Sequence, residues 1–272
     1  MNMLLLAGQV CRAFAESDDA ALRTVQKVKN AHSRDVVTAL DMKLHALSAR
    51  FVADHVPGCR LLSEEGDDAQ GPASRLREGR WLVVDPLDGS SNHALGLPHF
   101  GYMAAQVDQG RLAAALVVLP EHHQYLWMDG PRLLSSQPLP AAGEPRGAVY
   151  YAYPPQQDAS ARHARTQLLE LIDAQSSGLY RCGSACVGLY QLLCGQHLAF
   201  IGHGVRLWDA LAYLPMLAAQ GLHLRYSLQG TCMHLLASRR AELVDAAALI
   251  LARQGLRLHP YVLGDVLQLE DT

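Results

Sequence analysis

Asp85 and Asp88 stand three residues apart at the end of an apolar run, and a glycine and two hydroxyls follow at once: Trp81-Leu82-Val83-Val84-Asp85-Pro86-Leu87-Asp88-Gly89-Ser90-Ser91-Asn92. This order puts acidic oxygens and free backbone N–H groups on one short turn, which is what holding a divalent cation against a phosphate requires. Val83 and Val84 are β-branched and predict a strand. Pro86 lacks an N–H and has a fixed φ, so it is expected to end the ladder and stiffen the corner. Asp85 and Asp88 then converge, with the Leu87 carbonyl between them as a third oxygen. Mg²⁺ takes such ligands and keeps waters and substrate phosphates in its shell. Gly89 lets a ligand approach the backbone, and a helical turn opening at Ser90 or Ser91 points N–H groups at an anion. Taken alone, the same residues also make an ordinary Asx-rich surface turn.

The run Asp85–Asn92 resembles the signature of the inositol monophosphatase / fructose-1,6-bisphosphatase superfamily. Leu62-Ser63-Glu64-Glu65 is similar to that family's acidic pair, and Leu207-Trp208-Asp209-Ala210-Leu211-Ala212 to its second signature. Val37-Thr38-Ala39-Leu40-Asp41 and Gly183-Ser184-Ala185 match weaker blocks, all in family order. Chain length suits the inositol monophosphatase branch; the Ser-Ser-Asn ending is more similar to the fructose-bisphosphatase branch. The resemblance implies an α/β (α+β) sandwich of alternating layers, αβαβα, with metals between two halves. It implies that Glu64, Asp85 and the Leu87 carbonyl hold one Mg²⁺, and that Asp85, Asp88 and Asp209 hold a second. Two or three ions, Mn²⁺ as a substitute and Li⁺ as an inhibitor belong to the same expectation. Ser90, with Asp41 hydrogen-bonded behind it and Glu64 at the metal, is implied to activate the nucleophilic water. Gly89 and Ser90 N–H groups would cradle the phosphate alongside Leu87, Asp88 and Asp209. Gly183, Ser184 and Ala185 would line the sugar side.

The chemistry is coherent in its own right. Phosphoester hydrolysis is among the slowest uncatalysed reactions, and paired metals activate water and stabilise both the phosphoryl oxygens and the leaving alkoxide. Simpler roles compete residue by residue. Asp209 and Asp41 also read as helix caps, Glu65 as an orienter of Glu64 or a solvated partner of an arginine, and Gly183–Ala185 as a helix start. Lys29 matches a metal-side position only loosely.

Two positions depart from the family pattern. Tyr213 ends the second signature where the family has glycine. Gly202 stands seven residues before Asp209, where the inositol phosphatases carry a glutamate that contacts substrate hydroxyls. His203 beside it reads as an ordinary loop histidine, or as a stand-in for that contact. A site that loses a hydroxyl-binding group discriminates less. The expected activity is Mg²⁺-dependent hydrolysis of a small polyol or sugar phosphate, inositol-1-phosphate first. The alternatives are fructose 1,6-bisphosphate, a 3′-phosphonucleotide or histidinol phosphate. A binding or regulatory protein with a residual site is the reading from another class.

These residues need elements to position them. A helix is predicted over residues 4–29, interrupted near Ser17-Asp18-Asp19, and a second over Asp41–Val56, stopped by Pro57-Gly58. Short strands are predicted at Leu61-Leu62 and Trp81–Asp85. Phe100–Val107, Leu112–Leu119 and Gln124–Met128 read as an antiparallel meander whose first turn is Asp108-Gln109-Gly110. Residues 131–147, with four prolines, read as a linker between halves 1–135 and 148–272. Beyond it come a strand at Ala148–Tyr153, helices at Ala161–Gln175 and Ser184–Cys194, and a strand at His197–Ile201. A helix at Asp209–Gln220, a strand at Leu222–Tyr226 and a helix at Ala241–Arg253 follow. The alternation predicts layered packing.

Half of the 272 residues are hydrophobic, enough for a sizeable core, and the net charge is −3. That charge gives no support for a nucleic-acid surface. A small phosphorylated substrate would be drawn by bound metal rather than by a basic patch. The six cysteines form no C-x-x-C pair and sit in apolar contexts, so free thiols in a reducing cytoplasm are expected rather than disulfides or zinc. His122-His123 reads as a surface pair. No run of about 20 apolar residues suggests a membrane span. A homodimer is the family's common state, and the stretch from His259 onward carries no readable motif.

Overall fold

Alternation along one strand feeds two cores: Trp81 and Val83 enter one, Leu82 and Val84 the other. Successive strand side chains point to opposite faces, so an apolar run without polar gaps must be covered on both sides. A computed structural model of the chain describes residues 2–16, 20–29, 36–67, 71–139, 147–153 and 159–270. The elements in order are α1 (Met3–Ala15), β1 (Val25–Val28), β2 (Val36–Thr38), α2 (Ala39–His55), β3 (Cys59–Ser63), β4 (Arg80–Asp88) and α3 (Ser90–Ala94). Next come β5 (Gly101–Asp108), β6 (Arg111–Leu119), β7 (Gln124–Asp129), β8 (Arg132–Ser135), β9 (Val149–Ala152), α4 (Ala159–Gln175) and β10 (Leu179–Tyr180). The remainder is α5 (Ala185–Leu193), β11 (Ala199–Arg206), α6 (Tyr213–Ala219), β12 (His223–Gln229), β13 (Cys232–Ser238), α7 (Ala241–Ala252) and β14 (His259–Pro260).

Two six-stranded sheets carry the fold, one ordered β3-β4-β5-β6-β7-β8 and the other β10-β9-β11-β13-β12-β14. One face of the first sheet (Leu82, Val84, Tyr102, Leu116, Val118) packs on Leu6, Val10, Leu40, Leu44 and Phe51 of α1 and α2. Its other face (Val83, Met103, Val117, Leu119) shares a core with α5, α6 and the inner face of the second sheet. Tyr151, Ile201 and Leu236 on the second sheet's outer face pack on α4 and α7. The order of layers is therefore α1/α2, sheet, α5/α6, sheet, α4/α7, the expected αβαβα. Every residue of α5 except Gln191 is buried, as befits a helix enclosed between two sheets.

Four expectations need correction. The helix over 4–29 stops at Ala15; Ala20–Arg23 is a 3₁₀ turn, and β1 hydrogen-bonds to β2 instead. Val25 and Val28 are β-branched and favour that strand; Ser17–Asp19 lie outside the described residues. The segment read as a linker contains β8, whose Leu134 and Leu133 pair with Trp127 and Met128 of β7; residues 140–146 of it also lie outside. The helix at Asp209–Gln220 is a 3₁₀ turn at Leu207–Asp209 followed by α6. The strand expected at Leu222–Tyr226 is present as β12 but runs on to Gln229, and through Gly230 it turns into β13, a strand that the pattern does not predict. The unread C-terminal stretch returns to both sheets, bridging Val266 to Arg111 and Glu270 to Gln229. All six cysteines are free thiols, and no described helix is long and apolar enough to cross a membrane.

Candidate active site

Pro86 does not end β4. The strand runs to Asp88, with Asp85 opposite Met103 and Asp88 opposite Gly101, so one residue more lies on β4 than on β5. A proline has no N–H for the ladder, and a bulge absorbs that loss while re-aiming the neighbouring side chains. The Leu87 N–H turns onto Asp85 Oδ1 at 3.0 Å, which fixes the Asp85 side chain inside the bulge. Gly89 then takes φ +88°, and a Cβ there would collide with the His99 carbonyl. Gly89→Ala is expected to cost roughly 1–3 kcal/mol, read as a lower midpoint of thermal unfolding, with turnover falling alongside it.

Glu64, Asp85 and Asp209 each offer a carboxylate oxygen within 4.8 Å of the others. Three separate parts of the chain bring them there. β3 delivers Glu64 one residue past its end, where the Glu64 N–H bonds the Val84 carbonyl at 3.2 Å. β4 supplies Asp85. The 3₁₀ turn after β11 supplies Asp209, whose Oδ2 accepts the Arg206 N–H at 2.9 Å. Asp209 thus caps its own turn while facing the other acids. Burial pushes the Asp85 carboxyl well above the usual range, and Glu64, Asp88 and Asp209 push it further. Asp209 is raised well above the usual range by burial, then by Glu64 and Asp88. A divalent cation relieves such crowding, and an all-oxygen donor set suits a hard one. These residues fit Mg²⁺. Lys29 Nζ lies 2.5 Å from Glu64 and 2.8 Å from Glu65. Burial lowers its pKa, but the two glutamates outweigh that and raise it overall.

Asp88 stands beside this trio. The Ser184 hydroxyl donates to its Oδ2, as does the Cys186 N–H at 2.7 Å. Burial raises the Asp88 carboxyl to about 6, against the pull of these donors. Ser184 is also the N-cap of α5, accepting the Val187 N–H at 3.2 Å, so one hydroxyl both starts the helix and holds the acid. Gly183 has φ +83° and packs against Asn92, whose Nδ2 donates to the Cys182 carbonyl at 2.9 Å and to the His99 carbonyl at 2.7 Å. The first signature is thereby tied directly to the Cys182–Ala185 turn.

Asp41 serves two groups at once. Its Oδ2 accepts the Thr38 N–H at 2.8 Å and the Thr38 hydroxyl at 2.5 Å, capping α2; its Oδ1 lies 2.5 Å from Ser90 Oγ. Ser90 Oγ is also 2.7 Å from the Leu87 carbonyl. Burial raises the Asp41 carboxyl, opposed by the Ser90 and Thr38 hydrogen bonds. The cap and the serine contact are both present, and the Thr38-x-x-Asp41 spacing foretells the cap.

His203 is no loop residue. It lies in β11, 3 % exposed, with Nδ1 3.2 Å from the Tyr151 hydroxyl and its ring against His234. A Cβ on Gly202 would meet Phe200 Cε1 at 2.9 Å and Val205 Cγ2 at 3.3 Å, so β11 has no room there for an acidic side chain. Contacts that sequence reasoning missed include the Cys186 N–H and Asn92. Backbone donors leave no mark in side-chain type, but Ser184 as a helix-opening serine was a usable pointer.

A model of the inositol monophosphatase family matches residues 5–264. The Nus factor SuhB of Xylella fastidiosa is 24% identical over 219 residues, covering 77% of this chain and 78% of its own. The inositol-1-monophosphatase of Mesorhizobium japonicum is 27% identical over 191 residues, covering 69% and 70%. Among solved structures, the Thermotoga maritima IMPase superposes with TM-score 0.70 at 17% identity, covering 94% of this chain and all of that one. An IMPase/NADP phosphatase complexed with Mg²⁺ and phosphate gives 0.69 at 16% identity, covering 90% and 96%.

Proposed function

The chain belongs to the inositol monophosphatase family and is a phosphoric monoester hydrolase, and we propose that it hydrolyses a small polyol or sugar phosphate with Mg²⁺. The observation that carries this reading is the convergence of Glu64, Asp85 and Asp209 within 4.8 Å, next to a glycine-started helical turn. Glu64, Asp85, the Leu87 carbonyl and Asp209 would hold Mg²⁺, with Asp88 contributing from the α5 side. Bound there, the metal supplies charge neutralisation at the phosphoryl oxygens and a lowered pKa for a ligated water. The chain's own part is positional. Gly89 and Ser90 N–H groups, at the start of the helical turn, would receive phosphate oxygens, and φ +88° at Gly89 sets the corner from which that turn starts. Ser90 Oγ, which donates to Asp41, would take up a proton from the attacking water as its own passes to the carboxylate. Gly183, exposed at the turn before α5, would face the leaving alcohol, with Ser184 and Ala185 buried behind it.

Substrate choice follows from β11. Gly202 supplies no carboxylate, and His203 is spent on Tyr151, so the hydroxyl contact of inositol phosphatases has no replacement on this strand. The reading is therefore a tolerant phosphatase, with inositol-1-phosphate as one of several substrates. A panel of inositol, sugar and nucleotide phosphates, assayed with and without Mg²⁺, tests it. Release of phosphate from several small esters, only with metal, is expected; none from any of them sinks the reading. Relatives named Nus factor SuhB favour one further reading, a binding or regulatory role; a deletion strain complemented by the Asp85→Asn protein supports it, and one that is not complemented overturns it.

A further inference from the structure

We infer that Tyr213 is a positioning residue for Asp88, acting through the first turn of α5, with Tyr150 gripping the same turn from the other side. The inference rests on the metal-site reading above and deepens it. Tyr213 is fully buried, and its hydroxyl donates to the Cys186 carbonyl at 2.8 Å. The N–H of that same Cys186 donates to Asp88 Oδ2. The phenol and the carboxylate therefore hold opposite ends of one residue. Tyr150 OH donates to the Ser184 carbonyl at 2.7 Å and accepts the Ser184 N–H at 3.2 Å, while the Ser184 hydroxyl donates to Asp88.

Two glycines make the clamp possible. A Cβ on Gly188 would lie 2.5 Å from the Tyr150 ring, so the ring lies against α5 only because position 188 has no side chain. A Cβ on Gly101 would meet Cys186 Sγ at 2.7 Å, so α5 reaches β5 at the very residue that pairs with Asp88 for the same reason. Tyr213 also sits four residues after Asp209, at the start of α6. The segment that presents Asp209 thus helps to fix Asp88 as well, and the Tyr213 phenol is the link between the two acids on the α6 side. A glycine at 213 has no side chain to make that link.

Calorimetric titration of the apoprotein with Mn²⁺, repeated with Mg²⁺, tests this. Tyr213→Phe keeps the ring and removes one hydrogen bond, and is expected to weaken metal binding roughly three- to tenfold. The Mg²⁺ concentration for half-maximal turnover should rise by the same factor, with the substrate KM at saturating Mg²⁺ little changed. Tyr226→Phe, which removes a buried phenol bonded instead to the Gln268 N–H, should leave metal binding intact. In an Asp88→Asn background, adding Tyr213→Phe should weaken binding no further. Unchanged metal affinity in Tyr213→Phe, or an equal loss with and without the Asp88 carboxylate, overturns the inference while leaving the metal site standing. A wild-type protein that binds neither ion overturns the metal site and the inference together. If Tyr213→Phe does not fold, Tyr150→Phe reads the same turn by the same criteria.

Discussion

Asp85→Asn is expected to lower kcat by about three orders of magnitude and, without metal, to raise the unfolding temperature. The two effects have one cause. Asp85 sits at the centre of the crowd, raised by burial and by Glu64, Asp88 and Asp209. The amide keeps the oxygen that accepts the Leu87 N–H, so the bulge in β4 is preserved. Removing a buried like charge relieves repulsion, while losing several kcal/mol of metal-borne charge stabilisation costs about a factor of ten per 1.4 kcal/mol. Turnover within tenfold of wild type would refute the role assigned to Asp85. A lower unfolding temperature in EDTA would refute the repulsion.

The metal-free protein should lose stability as pH rises from about 4 through 6, and saturating Mg²⁺ should abolish that loss. Asp85, Asp88 and Asp209 are all raised, Asp88 to about 6. An acid raised by folding binds more protons folded than unfolded between about pH 4 and its folded value. Stability is thus retained below that window and falls through it, opposite in sign to an ordinary salt-bridged aspartate. A drop on the order of 5 °C is expected at this chain length, measured by scanning calorimetry in EDTA. A flat or rising profile would mean that the carboxylates are not crowded in solution.

The turn at Asp85 and Asp88 was readable from its own residues, an apolar run ending in two acids, whereas Glu64 and Asp209 joined it through the family resemblance, since Asp209 taken alone reads as a cap. The layered fold came from the family resemblance; the alternation of helices and strands fits it but does not by itself establish five layers. Periodicity failed where a strand is short or local signals compete. Val25 and Val28 continue a helical stripe on paper, yet they pair with Val36–Thr38, a tertiary preference that no local window contains. Pro86 reads as a stop, and only the partner strand's register shows that a bulge accommodates it. His203 looked like a loop because Gly202 and Gly204 flank it. In β11, Gly204 instead takes φ +80° where the register against β13 slips, and the histidine is turned inward. The Cys186 N–H on Asp88 was out of reach, since it is a main-chain group, whereas the Ser184 hydroxyl on the same acid left a side chain to read.

The middle layer is held in common. Tyr150 and Phe200 on one sheet and Met103 and Val117 on the other bury their side chains in the same helical filling, and Asn92 stitches the rim between them. Prising the sheets apart like a hinged shell would tear that filling open, so reactant must enter and product must leave along the margin. Staple-like cross-links between the two sheets, set away from the acids, should therefore leave the catalytic cycle running at full speed.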